Sequence, residues 1–352
     1  MRDLIRDKKI LITGGTGTLG KALLNEILKY DPKVVRIFSR DEAKQFDLQF
    51  ELSGYKNTRY LLGDVRDKER LMRAMEEIDI VFHTAALKHV PSCEYNPFEG
   101  VKTNIIGTQN VIDAALYNRV NKVIYTSSDK AISPTNTMGA TKLVAERLVS
   151  AADYYKGSAK TVFCAVRFGN VMGSRGSVIP LFKKQIQAGG PVTVTLSEMT
   201  RFMMSLSQAV MLTLEAARRA KGGETFVLKM PVIRLGDLAE IMMQEFAPLC
   251  GFKPDEIPVE TIGLRPGEKM YEELMTCEEA KFAMEFPKMF AIPPGYELKR
   301  YDYRGAKPAE VKTYRSDEVA PLNKAQLKRL LYAEELLDRR KQHVKDVIRK
   351  AN

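Results

Sequence analysis

The chain has no tryptophan, only three histidines and only four cysteines among 352 residues. Each scarcity removes a class of explanation. Cys93, Cys164, Cys250 and Cys277 are scattered, with no Cys-x-x-Cys and no paired spacing. A disulfide framework is therefore not expected, and reduced thiols fit a cytoplasmic setting. His83, His89 and His343 match no zinc-ligand spacing, so no metal site is expected. No window approaches 18 apolar residues, and the start, MRDLIRDKKILITGG, lacks the apolar run of a signal peptide. Neither a membrane-spanning helix nor membrane insertion is expected.

What is present is 45% hydrophobic and 28% charged, the balance of a soluble globular protein. The length fits two domains, or one large α/β domain with additions, and can bury a sizeable core without staples. The net charge of +11 suits phosphorylated small molecules, nucleic acid or an anionic surface. It also suits basic charge spread over solvated faces. Much of the excess lies in LNKAQLKRLLYAEELLDRRKQHVKDVIRK, where Leu327, Leu330, Leu331, Leu337, Val344, Val347 and Ile348 form an apolar stripe. That pattern predicts a helix packed on its own domain or on a partner subunit. No nucleic-acid partner is expected.

Strand and helix signals alternate through the first half. Short apolar runs at 9–13, 34–38, 59–62, 78–82, 123–125 and 162–166 predict strands. Helical patterns at 21–30, 41–52, 96–117 and 139–154 lie between them. Repeated βα units predict an α/β fold, a Rossmann-like doubly wound parallel sheet with helices on both faces. After Arg167 the rhythm breaks into Gly- and Ser-rich loops (GNVMGSRGS, QAGGP, GLRPGE), as expected for a smaller C-terminal α/β substrate lobe. The expected division is 1–170, with parts of 200–230 returning to it, then 171–320, then a basic helix over 321–352. The stretch from Pro293 to Pro321 is expected to be irregular.

The first strand runs into Thr13-Gly14-Gly15-Thr16-Gly17-Thr18-Leu19-Gly20. Gly14, Gly17 and Gly20 let backbone approach a pyrophosphate, and a helix N-terminus supplies amides and positive dipole. The strand before and the helix after distinguish this from a tight turn that binds nothing. The second strand ends in Ser39-Arg40, suited to the 2′-phosphate of NADP rather than to the free ribose of NAD, although Asp41 is adjacent. Asp64 and Val65 follow the third strand where an adenine would lie. Ala85 and Ala86 form a small-residue turn after the fourth.

Residues 126–142, TSSDKAISPTNTMGATK, set Asp129 beside Lys130, then a Pro/Asn loop, then a helix carrying Lys142. Four residues earlier, on the same helix face, stands Met138. Its thioether cannot give or take a proton.

Together, TGGTGTLG, GDVRD, HTAALKHV, TSSDKA, MGATK, RFGNVMGSRGSVIP, MTRFMMS and RPGEK resemble an extended short-chain dehydrogenase/reductase over about residues 5 to 320. More narrowly, they resemble the nucleotide-sugar 4,6-dehydratases that act on UDP-N-acetylglucosamine in capsule, flagellin-sugar and glycan biosynthesis. The resemblance implies a bound, recycled NADP and a C-terminal sugar-nucleotide lobe. It implies catalytic roles for Ser128, Asp129, Lys130 and Lys142. It implies substrate contacts from Lys88, Asn170, Arg201, Arg265 and Glu268, with the arginines suited to phosphate oxygens. In the implied reaction C4 is oxidised, a base removes the C5 proton, the 6-hydroxyl leaves as water, and the hydride returns to C6. Asp129 is the candidate acid at O6, which requires a raised pKa. Lys130 is the candidate base at C5, which requires a lowered one. Inversion at C5, giving the L-arabino keto sugar, is expected from the likeness of the MTRF segment.

Met138 departs from the superfamily's acid/base tyrosine. A branch of these dehydratases, including capsule-type and membrane-attached relatives, resembles this chain in carrying methionine there. Lys130, Ser128 or a water near Lys142 then takes the 4-hydroxyl proton. Two alternatives stay open at this point, a UDP-sugar C4-epimerase and a non-catalytic NADP-binding sensor. The apolar stripes on 96–117 and 139–154 suit the paired-helix contact of a homo-oligomer.

Overall fold

The computed structural model describes residues 1–294, 301 and 303–337. They divide into two compact units. The first comprises Met1–Gly169, Leu206–Lys229 and Glu273–Tyr314; the second comprises Asn170–Ser205, Met230–Glu272 and the residues from Arg315 onward.

The first unit is built on a ten-stranded sheet. Its seven parallel strands are β1 (Lys9–Thr13), β2 (Val34–Ser39), β3 (Thr58–Leu62), β4 (Ile80–His83), β5 (Lys122–Ser128), β6 (Val162–Phe168) and β7 (Glu224–Leu228). They lie in the order β3-β2-β1-β4-β5-β6-β7, the doubly wound Rossmann arrangement. Ile10, Leu11, Ile12, Val81 and Phe82 are completely buried, as continuous apolar strands covered on both faces should be. The helices between them are α1 (Thr18–Leu28), α2 (Glu42–Glu51), α3 (Lys68–Ala74), α4 (Gly107–Tyr117), α5 (Thr137–Tyr155) and α6 (Leu206–Arg219). Side-chain caps fix where several begin. Asp41 accepts from the Lys44 amide at 3.0 Å, Asp67 from Arg70 at 2.9 Å and Asn136 from Gly139 at 2.8 Å. The chain turns outward in opposite directions from β1 and β4, so the carboxyl ends of these neighbours open the crevice where α/β sheets bind ligands.

Two local expectations change. The first helix starts at Thr18 rather than Lys21, because Gly17 is its extended N-cap. The long helix expected over 96–117 is a succession of Pro97–Gly100, a π-helical turn over Val101–Ile106, and α4.

Residues 206–229 supply α6 and β7 of the first unit, within the 200–230 expected to return to it, and 273–314, expected in the second, also belong to the first unit. Met289–Ile292 pairs antiparallel with β7, and Met284–Glu285 and Lys307–Pro308 continue the sheet beyond it. From Pro293 to Pro321, the described residues hold only two-residue strands and one 3-10 turn.

The second unit has a three-stranded sheet of Val232–Arg234, Thr200–Met204 and Asn170–Val171. Val192–Val194 pairs separately with Val259–Thr261. Helices Val178–Gln187 and Leu235–Phe246 share its core with Leu327, Leu331 and Leu337. The final described helix, Lys324–Ala333, is therefore part of this unit, with Lys328 paired to Glu245 at 2.7 Å. Val344, Val347 and Ile348 lie outside the described residues. Among the described residues, no helix is long and apolar enough to cross a membrane.

Candidate active site

The glycine turn after β1 is a cradle that side chains would fill. Gly14 has φ +68, and a methyl group there would lie 2.8 Å from the Ala85 backbone. A methyl on Gly20 would collide with the Gly14 carbonyl, and one on Gly17 would sit 3.0 Å from it. The Gly17 amide closes the turn onto that same carbonyl at 2.8 Å. Backbone, not side chains, thus faces the mouth, and Thr18 and Leu19 open α1 directly behind it. These residues fit a dinucleotide pyrophosphate. Thr13 does something different from its neighbours. Its buried hydroxyl bonds His83 Nδ1 at 2.7 Å and lies 3.4 Å from the Ala85 amide. It ties the ends of β1 and β4 together and so shapes the floor beneath Ala85 and Ala86.

At the end of β2, Gln45 Nε2 donates to both the Ser39 hydroxyl (3.0 Å) and the Ser39 carbonyl (3.1 Å). Arg40 is exposed and lies 3.5 Å from Asp64. Asp41 spends its carboxylate on capping α2. Asp64 accepts from Arg66 Nε at 3.0 Å and Nη2 at 2.7 Å. Burial works to raise the Asp64 pKa, but the Arg66 hydrogen bonds and the charges of Arg40 and Arg66 outweigh it. Its carboxyl therefore titrates below the ordinary range. Two arginines consequently flank this corner, where sequence reasoning named only Arg40. Val65 beside them is buried in the core against α4.

The end of β5 carries Ser128, Asp129 and Lys130, the residues expected to act as acid and base. Asp129 is 1% exposed. Its Oδ1 accepts from the Ser128 hydroxyl at 2.9 Å and from Lys130 Nζ at 3.1 Å. Three consecutive side chains thus converge on one oxygen. Helix α5 packs against this turn, and a methyl on Gly139 would collide with the Lys130 carbonyl. Glycine at 139 is what lets the helix come this close.

Met138 and Lys142 are both buried on the face of α5 turned toward β5. Lys142 Nζ donates to the Thr126 carbonyl at 2.7 Å and sits 4.7 Å from the centre of the Tyr125 ring. Burial pushes the Lys142 pKa down to about 8, against the pull of Glu146. His83 is held between Thr13 and Thr108, whose hydroxyl is 3.1 Å from Nε2. Burial, helped by the Lys142 charge, lowers the His83 pKa to about 3, so its ring is neutral.

A residue missed on sequence, Asn104, braces the site. Its carboxamide accepts from the Leu87 amide at 2.8 Å and donates to the Leu87 carbonyl at 3.0 Å. It also donates to Thr141 at 2.9 Å. The HTAALKH loop, with exposed Lys88, is thereby fixed to the catalytic helix. No sequence signal singles it out, because its stretch, VKTNIIGTQN, carries several other polar residues.

Asn170, Arg201, Arg265 and Glu268 lie in the second unit. Asn170 donates to the Phe202 carbonyl at 3.2 Å. Arg201 donates to the carbonyls of Thr200 (2.7 Å) and Lys269 (2.8 Å), so it anchors the RPGEK loop. Arg265 and Glu268 close a turn through Pro266 and Gly267, which has φ +79; the Glu268 amide reaches the Arg265 carbonyl at 3.0 Å. Arg265 itself is exposed.

The family described as polysaccharide biosynthesis protein matches residues 10–294. A Methanocaldococcus jannaschii protein named as an uncharacterized membrane protein is 52% identical over 326 residues, 93% of this chain and 96% of that one. The inverting UDP-N-acetylglucosamine 4,6-dehydratase of Campylobacter jejuni is 44% identical over 297 residues, 84% and 85% of the two chains. A Rickettsia rickettsii protein named UDP-glucose 4-epimerase is 42% identical over 333 residues, 92% and 95% of the two chains. Among solved structures, Pen from Bacillus thuringiensis matches with TM-score 0.90 and 56% identity, covering 95% of this chain and 99% of that one.

Proposed function

The chain belongs to the polysaccharide biosynthesis protein family, extended short-chain dehydrogenases/reductases of the nucleotide-sugar dehydratase and epimerase class, and from that premise we propose that it is a 4,6-dehydratase of UDP-N-acetylglucosamine. The observation that carries this reading is the convergence of Ser128 and Lys130 on one oxygen of buried Asp129. C4 epimerisation needs proton transfer only at O4. A paired acid and base beyond that position suit elimination across C5 and C6.

The cradle of Gly14, Gly17 and Gly20 would hold the pyrophosphate of NADP, with Ser39, Arg40 and Arg66 at its 2′-phosphate and Ala85 and Ala86 along its length. When bound, the nicotinamide supplies reversible hydride acceptance, from C4 and back to C6. Lys142, in the floor below, keeps positive charge beside the reacting centre. Met138 packs there without proton chemistry. Ser128 therefore relays the 4-hydroxyl proton to the Asp129 carboxylate, and Asp129, now protonated, gives it to O6 as water leaves. Lys130, once it has given up its own proton, removes the C5 proton and releases it to solvent, and a solvent-derived proton is delivered to C5 as C6 is reduced. Protons balance, and one water is lost. Delivery to the opposite face of C5 makes the product the L-arabino 4-keto sugar. Asn170, Arg201, Arg265 and Glu268, on the family resemblance, would contact the UDP moiety.

NMR of the product formed from UDP-N-acetylglucosamine tests this directly. A 6-deoxy-4-keto sugar, made without net consumption of NADPH, is expected. The epimerase reading, favoured by the relatives bearing that name, predicts instead a product that keeps its 6-hydroxyl. Exposed Tyr95, Phe98, Ile106 and Tyr117 beside Val144 and Tyr155 of α5 support a homo-oligomer joined through these helices, which light scattering would reveal as a mass above that of one chain.

A further inference from the structure

Along the helix Thr137–Tyr155 lies a line of alternating buried charges, of which the mechanism above uses only Lys142. Lys142 and Glu146 are one turn apart on α5 and are 5% and 3% exposed. Glu146 meets Arg167 of β6 through Oε1 and Nη2 at 2.5 Å, and Arg167 is completely buried. On its other side Arg167 grips Glu279 with two bonds of 2.9 and 3.0 Å, and donates to the Leu274 carbonyl at 2.8 Å. Glu279 is in turn fixed by accepting from the Thr276 amide at 3.1 Å. All four lie in the first unit.

An unpaired charge in such a place is strongly disfavoured, so the line persists because its signs alternate. Two carboxylates share one guanidinium. Arg167 is therefore more than neutralised, and negative charge from Glu146 remains directed at Lys142. We propose that Glu146, held in place by Arg167, is the positioning residue that keeps Lys142 cationic at the active site. This deepens the dehydratase reading and rests on it for the catalytic consequence, since the position one helical turn before Lys142 is Met138, which cannot share its proton.

Other groups on the elements packed against α5 do not substitute for Glu146. His83 on β4 is neutral. Tyr125 on β5 is buried, and its hydroxyl pKa is raised well above the ordinary value, so it is uncharged. Asp129 and Lys130, in the turn after β5, pair at 3.1 Å before Lys130 gives up its proton for catalysis. Glu94 is engaged at the start of α5, where it accepts from the Thr137 amide. Arg167 carries the same sign as Lys142 and can favour it only through Glu146.

The test reads Lys142 itself, by pH-dependent acetylation of the full-length protein followed by mass spectrometry of the Lys142 peptide. In the wild type, half-maximal reactivity is expected near pH 8. Glu146→Gln is expected to move the midpoint down by roughly one pH unit or more, a tenfold change in the protonated-to-neutral ratio. Glu279→Gln, which leaves Glu146 as the sole carboxylate on Arg167, is expected to move the midpoint in the same direction but by less. An unmoved midpoint in folded Glu146→Gln, or an equal shift in Glu279→Gln, would overturn the proposal. Should Glu146→Gln fail to fold, Glu146→Asp decides: a midpoint held near that of the wild type supports the proposal, and one that falls as an uncharged residue would make it fall overturns it. Keto-sugar formation is measured in parallel. Loss of the Lys142 shift with turnover intact sinks only this inference, whereas absence of any keto sugar from the wild type sinks the dehydratase reading and leaves the titration standing.

Discussion

In the proposed reaction, residues 128–130 supply the acid, the base and the proton relay. Asp129→Asn keeps the shape but removes the acid, and is expected to reduce keto-sugar formation by about 10²–10⁴-fold. Ser128→Ala should produce a loss of similar class if the hydroxyl is the relay for O4. If Ser128→Ala turns over like the wild type, the 4-hydroxyl proton leaves by another route. His83 carries a second prediction, on stability. Its folded pKa of about 3 lies below the ordinary 6.5, so the folded state binds fewer protons between these values. The stability it contributes is present above pH 6.5 and is lost as pH falls toward 3. Between pH 7 and 5 this amounts to about 2 kcal/mol. Urea unfolding at the two pH values should show that difference in the wild type and not in His83→Asn. Asp129 and Lys130 were readable as a pair from their adjacency alone. Their convergence with Ser128 on a single oxygen was not, because it depends on the twist of the chain as β5 ends.

At the scale of elements, contact between α5 and the turn after β5 hinges on Gly139. Gly139→Ala is expected to push the helix from the Lys130 carbonyl, costing about 1–3 kcal/mol of stability and at least about tenfold in turnover. A thermal melt and a keto-sugar assay check the two effects. The core strands of the parallel sheet were legible because burial on both faces leaves almost unbroken apolar runs. The edge made by Met284–Glu285, Met289–Ile292 and Lys307–Pro308 was not. Strands of two to four residues carry no periodicity, and their assignment comes from pairing with β7, some sixty residues earlier in the chain. Asn104 was hidden for a related reason: it is one of several polar residues in its stretch, and only its partners, Leu87 and Thr141, single it out. The cofactor corner shows both cases. Arg40 follows a strand end and is readable, whereas Arg66 joins it only through their common partner Asp64. Arg40→Ala combined with Arg66→Ala is expected to reduce affinity for NADP at least about tenfold while changing affinity for NAD little. Fluorescence titration of the two reduced cofactors would register the difference.

For the whole molecule, the chain order of the two units explains why the division was only partly readable. The second unit is assembled from three separate stretches, and the first reclaims 206–229 and 273–314 between them. Composition follows the chain, whereas compactness follows contacts distant in sequence. The charge of +11 agrees with a doubly charged nucleotide sugar and a phosphorylated cofactor as ligands, but it does not select between elimination and epimerisation. Loss of the 6-hydroxyl does select. The direct measurement is proton and carbon NMR of UDP-N-acetylglucosamine incubated with the full-length protein and NADP in deuterated water. The account predicts a 6-deoxy-4-keto sugar with deuterium at C5, inverted at that carbon, and no NADPH accumulated. A product retaining its 6-hydroxyl and its C5 proton, or no product at all, would contradict it.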